Sequence, residues 1–262
     1  MKRIQYFLLL PLLALVITGC EKVVEIDLND TDPQLVIEAV VRNAPGDNYV
    51  LISRSASIYE DAELEQISGA TVSITDPLGV NHLLTEVEPG RYNGASISGE
   101  VGNYALSVEV EGETVTATTV MQPTVVLDSI VVEEAGGFGG NNAFQLFVGF
   151  QDPVGTPNFY RFKVFKNGEA QDGWSQLDDD IFDGNEITFP LFQYSFEAGD
   201  TGRVELMNIP EENYRYLETL ANAQGNSAFD AAPGNPISNH NGNAIGFFTA
   251  WAVSELPVAI PE

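Results

Sequence analysis

From Leu35 onward the chain repeats one pattern, short runs in which apolar and polar side chains alternate, separated by turn-forming residues. In Gly69–Asp76 ("GATVSITD"), Ala70, Val72 and Ile74 fall on one face and Thr71, Ser73 and Thr75 on the other. A period of two places alternate side chains on opposite faces of a strand, and a helix cannot segregate them in this way. The same reading predicts strands over Leu35–Val41, Tyr49–Ser55, His82–Glu86 and Gly90–Tyr92. Tyr104–Val110 and Thr114–Val120 form a further pair, with Glu111-Gly112 as a tight hairpin turn between them. Short strands at this spacing predict an antiparallel β-sandwich of immunoglobulin-like or transthyretin-like type.

Gln122-Pro123-Thr124 is the expected boundary of that sandwich, because proline stops ladder pairing and a new apolar run begins at Val125. Beyond it Phe144–Phe150, Tyr160–Phe165, Thr201–Met207 and Ala244–Val253 are expected strands, and Asn167-Gly168 a turn. Asn208–Ala223 departs from period two. Tyr214, Leu217, Leu220 and Ala221 recur at helical spacing, Glu211 and Glu212 sit near the positive end of the helix dipole, and Asn208 is the candidate cap. The expected fold is therefore mostly β, a sandwich followed by a second β-rich domain carrying one helix. The expected divisions are a signal peptide at 1–19, a lipidated tether at 20–34, the sandwich at 35–122, and the second domain at 123–262 with its helix near 208–223.

The N-terminus supports the first of these divisions. Lys2 and Arg3 precede an apolar run from Tyr6 to Ile17, broken only by Pro11 and followed by small residues. The run is shorter than the about 20 apolar residues needed to span a bilayer. Ile17-Thr18-Gly19-Cys20 resembles a bacterial lipobox, in which the cysteine is lipidated and becomes the first residue of the mature chain. Cys20 is the single cysteine in the sequence. Its use as an anchor leaves no thiol for disulfides, thiolate catalysis or zinc-cysteine sites.

With 38 acidic against 11 basic residues the formal net charge is −27, and the basic residues are scattered. Phosphate backbones require clustered Lys and Arg, so nucleic acid is not an expected partner. Only His82 and His240 could act as imidazole bases, and Gly173-Trp174-Ser175 lacks the glycine that would complete a nucleophile elbow. Gly136–Gly140 lacks the following Lys-Ser/Thr of a phosphate loop and is expected to be a hairpin loop. No catalytic residue is assigned and no cofactor is expected, apart from calcium. The candidate calcium ligands are Asp178, Asp180, Asp183 and Glu186 in the acidic stretch "DDDIFDGNE", whose spacing is not that of an EF-hand loop. Trp174, Asn239, His240 and Asn241 are the candidate partner or ligand surface, with Trp251 and the tyrosines as further stacking surfaces.

Several blocks together resemble one family. "LVIEAVV", "VLISRSASI", "FQDPVGTPNFYRFKV", "DDDIFDGNEITF", "PEENYRYLETL" and "SNHNGNAIGFFTAW" follow the lipobox in order, and the likeness covers nearly the whole chain after Cys20. The chain is similar to the domain-of-unknown-function 4249 lipoproteins of Gram-negative bacteria; His240 and Ala244 depart from the family's pattern near its last block. The resemblance implies an outer-membrane lipoprotein with an N-terminal β-sandwich, attached through its lipid, facing either the periplasm or the outside. It also implies a neighbouring TonB-dependent receptor. The function this suggests is a non-enzymatic binding or accessory module. The alternatives are an envelope hydrolase acting on glycan or peptide through carboxylates, and a structural adhesin-like module.

Overall fold

The computed structural model describes residues 33–43, 48–55, 64–94, 97–135, 143–223 and 236–262. Cys20, the expected signal peptide and most of the expected tether, and the glycine-rich segment at 136–140, lie outside the described residues.

The first half carries eight strands: β1 (Leu35–Arg42), β2 (Tyr49–Arg54), β3 (Thr71–Thr75), β4 (Asn81–Leu83), β5 (Thr85–Glu88), β6 (Arg91–Asn93), β7 (Gly102–Val110) and β8 (Glu113–Met121). Alternation is strict in the β7–β8 hairpin, where Val108 faces Val115 and Leu106 faces Ala117 across the pair, all buried. Its connection, Glu111-Gly112, has positive φ at both residues, the primed turn whose twist matches the flanking strands. Strands β4-β3-β7-β8 form one sheet, and its buried face packs on β1, β2 and β6.

The second half adds β9 (Leu127–Glu134), β10 (Ala143–Gln151), β11 (Phe159–Lys166), β12 (Glu169–Ala170), β13 (Ser175–Asp178), β14 (Glu186–Pro190), β15 (Phe196–Glu197), β16 (Thr201–Ile209), helix α1 (Glu211–Ala223) and β17 (Ala244–Ala259). Here β9, β10, β14 and β15 form one small sheet. Its inner face packs on β11 and β16, with Phe150 edge-on to Tyr160 and Phe162 stacked on Phe189 at 4.9 Å. The fold is mostly β, as expected, with a single described helix.

The two halves are joined by β17. It runs sixteen residues, past the expected end at Val253, and sits between β1 and β16 in a nine-stranded sheet ordered β12-β11-β16-β17-β1-β2-β6-β5, with β13 beside β11. Phe248, Ala250 and Ala252 enter the first core, and Leu256 and Val258 pack against the second. Pro33–Glu262 is accordingly one compact unit holding two cores. The β1–β17 pair is parallel, with Ile37 opposite Gly246, whereas the other strand pairings among the described residues are antiparallel.

The helix begins at Glu211, and Asn208 is not its cap. Asn208 is a buried residue of β16, and its side-chain amide donates to the Pro123 carbonyl at 3.0 Å. The Pro210 carbonyl instead receives the Asn213 and Tyr214 amides at 3.0 and 3.1 Å. The physical reason is burial: the alternation of β16 carries through Ile209, so Asn208 is held in the ladder opposite Tyr160 and Ala252. Tyr214 and Leu217 then pack on Phe159, Met207 and Ile209, forming a third small core on the face of the large sheet that points away from the two sandwiches.

Candidate functional site

The outer face of the nine-stranded sheet is determined by the same alternation that fills the cores. On β17, Phe248, Ala250 and Ala252 point inward, so Phe247, Thr249 and Trp251 point out. On β11, Tyr160, Phe162 and Val164 are inside, so Arg161 and Lys163 share the outer face. Helix α1 covers part of that face and leaves a cavity of about 180 Å³ beneath it. Its floor is Glu38 and Val40 from β1, Tyr49 from β2, Phe247, Thr249 and Trp251 from β17, and Arg161. Its roof is Asn213, Tyr216, Leu217 and Leu220, and Trp174 closes one side. Trp174 also lines an adjoining cavity of about 560 Å³, with Gln176, Gln193 and Glu218.

Arg161 occupies the centre of the aromatic wall. Its guanidinium carbon lies 4.8 Å from the Trp251 ring centre and 5.6 Å from that of Trp174, within cation–π range. Each indole is oriented by a polar partner: Trp251 Nε1 donates to Asn213 Oδ1 at 3.1 Å, and Trp174 Nε1 to Gln176 Oε1 at 3.2 Å. Tyr216 stacks on Phe247 at 4.8 Å. Burial holds the Arg161 guanidinium below its ordinary pKa, and Arg161 Nε is buried without a hydrogen-bond partner. Burial also raises the Glu38 carboxyl and the Tyr49 and Tyr216 phenols, favouring their neutral forms. The arrangement can hold a flat body against aromatic rings and present a cation to it. Among the described residues, Glu38 and Glu218 are the carboxylates lining the two cavities, and Glu218 is engaged by Arg215 at 3.0 Å.

Of the expected surface residues, Trp174 lies in this site and the Asn239–Asn241 segment does not. Asn239 clamps β17, its amide nitrogen donating to the Phe248 carbonyl at 2.8 Å and its oxygen accepting the Phe248 amide at 2.9 Å. Asn241 exchanges both backbone hydrogen bonds with Thr116 on β8. His240 Nε2 donates to the Ile37 carbonyl at 2.8 Å, which places the proton on that nitrogen. Sequence reading did not single out Arg161, Asn213 or Glu38. The available signal was Arg161 and Lys163 alternating with buried residues on one strand of a chain poor in cations.

Burial lowers the pKa of His240 from an ordinary 6.5. Above that value the histidine is neutral both folded and unfolded, and its contribution to stability is fully present. As pH falls below it the unfolded chain takes up the proton first, so stability is lost until the folded pKa is passed. The stability difference between wild type and His240→Gln, measured by urea unfolding, should shrink on going from pH 7 to pH 5, by at most about 1.4 kcal/mol per pH unit. A constant difference would mean that the imidazole titrates alike in both states.

The acidic stretch converges on a different set from the one expected. Asp152, Asp179 and Asp183 each bring a carboxylate oxygen within 4.8 Å of the others. Of the four candidate calcium ligands only Asp183 belongs to this group. Asp178 accepts from the Tyr214 hydroxyl at 3.2 Å, Asp180 is exposed, and Glu186 stands opposite Gln151 at the start of β14. The trio is already engaged by the chain. Asp152 accepts from the Tyr160 hydroxyl and from the Gly184 amide at 2.8 Å, Asp179 from the Asn158 amide at 2.9 Å, and Asp183 from the Gly155 amide at 2.6 Å. Burial, with the charges of Asp152 and Asp183, raises the pKa of Asp179.

Among solved structures, the chain is similar to a DUF4785 family protein from Legionella pneumophila, at 16% identity over 66% of this chain and 52% of that one, with a TM-score of 0.25. It thus spans about half the length of that protein. It is also similar to a two-domain fibronectin type III segment of chicken tenascin (11% identity, 68% and 91% covered, TM-score 0.23). A third similarity is to the chicken interferon gamma receptor alpha chain (9% identity, 88% and 99% covered, TM-score 0.24). With TM-scores this low, the fold rests on the strand pairing and cores described above. No curated protein matches the sequence. A family model does match, over residues 21–256, covering every strand that lines the cleft and nearly all of the chain after Cys20. The chain belongs to the family described as "Domain of unknown function (DUF4249)".

Proposed function

We propose that this protein is a non-enzymatic binding lipoprotein, held to the outer membrane through Cys20, whose cleft beneath α1 receives a ligand or a partner segment. The observation that carries the reading is the cleft itself: two oriented tryptophans flank a guanidinium, and Tyr49, Tyr216 and Phe247 with aliphatic side chains line much of the rest. Preformed, largely apolar concavities with a few fixed polar groups are how proteins hold small ligands. The alternative of a carboxylate hydrolase draws less support. The one described group of converging carboxylates is Asp152, Asp179 and Asp183, and it is engaged by backbone amides and Tyr160, away from the residues that line the cleft. Attachment follows from the lipobox likeness at Ile17–Cys20; among the described residues no helix is long and apolar enough to cross a membrane.

A module of this kind would serve a TonB-dependent receptor as an accessory. In the native host, wild-type protein should fractionate with the outer membrane and Cys20→Ala with the soluble envelope fraction. Gentle detergent extraction should recover the wild type together with a large β-barrel protein. Recovery as a lone monomer would reject the transporter partnership, and a Cys20→Ala chain that stays with the membrane would reject the lipid anchor.

A further inference from the structure

The cleft lies in a local reversal of the protein's charge. The chain carries a net −27, yet the outer sheet face brings Arg42, Arg161 and Lys163 together. Asp172 acts on Lys163 from a distance, and Glu205 lies opposite Lys163 across the β11–β16 pair. Glu205 receives Arg42 at 3.1 Å and Arg203 at 2.7 Å. Among the described residues no carboxylate lies within ion-pair distance of Arg161 or Lys163. Arg54, Lys166, Arg203 and Arg215 each hold an acid, whereas Arg91 lies over the ring of the lining residue Tyr49 at 4.9 Å and adds to the positive charge around the cleft. Arg161, buried between two indoles with no carboxylate at ion-pair distance and with Lys163 beside it on the strand, marks a place where an anion from outside can complete the electrostatics.

We propose that the cleft binds a small aromatic monocarboxylate. Its carboxylate is received by Arg161, with Lys163 two residues along β11 adding positive charge from outside the cavity lining, and its ring lies against Trp251 and Trp174. This rests on the reading of the cleft as a binding site and adds the ligand class. The guanidinium edge supplies paired N–H donors that suit a carboxylate, and the buried Nε has no internal acceptor. The rings on either side favour a flat apolar body over a bare inorganic ion. One charge suffices, because a second negative charge would have to be held within a strongly anionic protein. The far end, level with Phe247 four residues along β17 from Trp251, carries the Glu38 carboxyl, which disfavours a second anionic group there. That end therefore accommodates the uncharged part of the ligand.

The protein provides its own reporter, since Trp174 and Trp251 are the only two tryptophans in the sequence and both line the cavity. Titrating the full mature chain with phenylacetate, its neutral amide phenylacetamide, and inorganic phosphate, while exciting tryptophan selectively, tests the proposal. A saturable change is expected with phenylacetate, at least about tenfold weaker with phenylacetamide and with phosphate. Arg161→Gln should weaken phenylacetate at least about tenfold, a difference of about 1.4 kcal/mol. Lys163→Met, on the more exposed neighbour, should weaken it by a smaller factor and raise the salt sensitivity of nothing else. Equal affinity for the amide would overturn the anion class while leaving a binding cleft. Phosphate binding as tightly as phenylacetate would overturn the aromatic body. No saturable change with any probe would overturn the inference, and would leave the membrane attachment to be decided by fractionation of the Cys20 variant. Thermal melts of both variants separate loss of the site from loss of the fold.

Discussion

Gly246→Ala is expected to destabilise the protein by at least about 3 kcal/mol, a large share of the about 5–15 kcal/mol that holds a typical domain folded. Gly246 has φ +105, a conformation side chains rarely adopt, and a Cβ there would lie 2.2 Å from the Ile37 carbonyl oxygen. That oxygen belongs to β1, across the one parallel pairing among the described strands, and it also accepts from His240. The strained backbone costs roughly 1–3 kcal/mol by itself. The overlap adds to this, because neither strand can withdraw without opening the first core, where Ile37 and Phe248 are fully buried. Gly112→Ala is the control: φ +85 but open space around the added atom, for an expected loss of about 1 kcal/mol. Urea unfolding of both variants checks the comparison, and similar losses would show that the close approach to Ile37 is not what restricts position 246.

Asp152→Ala is expected to cost about 3 kcal/mol, the second largest effect. Asp152 and Tyr160 are both essentially inaccessible to water, and the tyrosine hydroxyl donates to the carboxylate. The same carboxylate receives the Gly184 amide, tying the β10–β11 connection to the loop before β14. Removing it leaves a buried hydroxyl and a backbone amide without acceptors, each a penalty of about 1–3 kcal/mol. Tyr160→Phe removes one donor and leaves the carboxylate its backbone partner, so the expected loss is only about 1 kcal/mol. In the double variant the orphaned hydroxyl is gone, and the combined loss should fall short of the sum by about 1 kcal/mol or more. Additive losses would show that the two groups do not depend on one another.

The sequence revealed elements where burial is one-sided. In β7 and β8 every second residue is buried, and in β10 Leu146, Val148 and Phe150 are, so period two located them. It missed the two-residue strands Glu169–Ala170 and Phe196–Glu197, which hold too few side chains to show a period. Glu186–Pro190 drew no strand expectation, since only Glu186 was singled out, as the end of the acidic stretch, although Ile187 is buried in the second core. The parallel pairing of β1 with β17 joins residues about two hundred positions apart, and neither strand's own pattern names its partner. The site was legible in the same uneven way. Trp174 stood out as an exposed-looking aromatic in a polar stretch. Arg161 did not, because a basic residue in an alternating strand ordinarily faces solvent, and only the arrival of α1 and the two indoles over it makes it the centre of a cleft. The Asn239–Asn241 segment drew notice by composition, yet its polar groups are spent on backbone.

The place of β17 has a consequence for the order in which the molecule can be made. Both cores need it, the first for Phe248, Ala250 and Ala252 and the second for Leu256, Val258 and Ile260. A chain emerging from the ribosome therefore holds β1 and β16 as open strand edges, with neither hydrophobic interior closed, until residues after 243 appear. Contacts of such long sequence separation are slow to form. Neither core can therefore close through most of the chain's synthesis, and both become closable only once β17 is available to pair with β1 and β16.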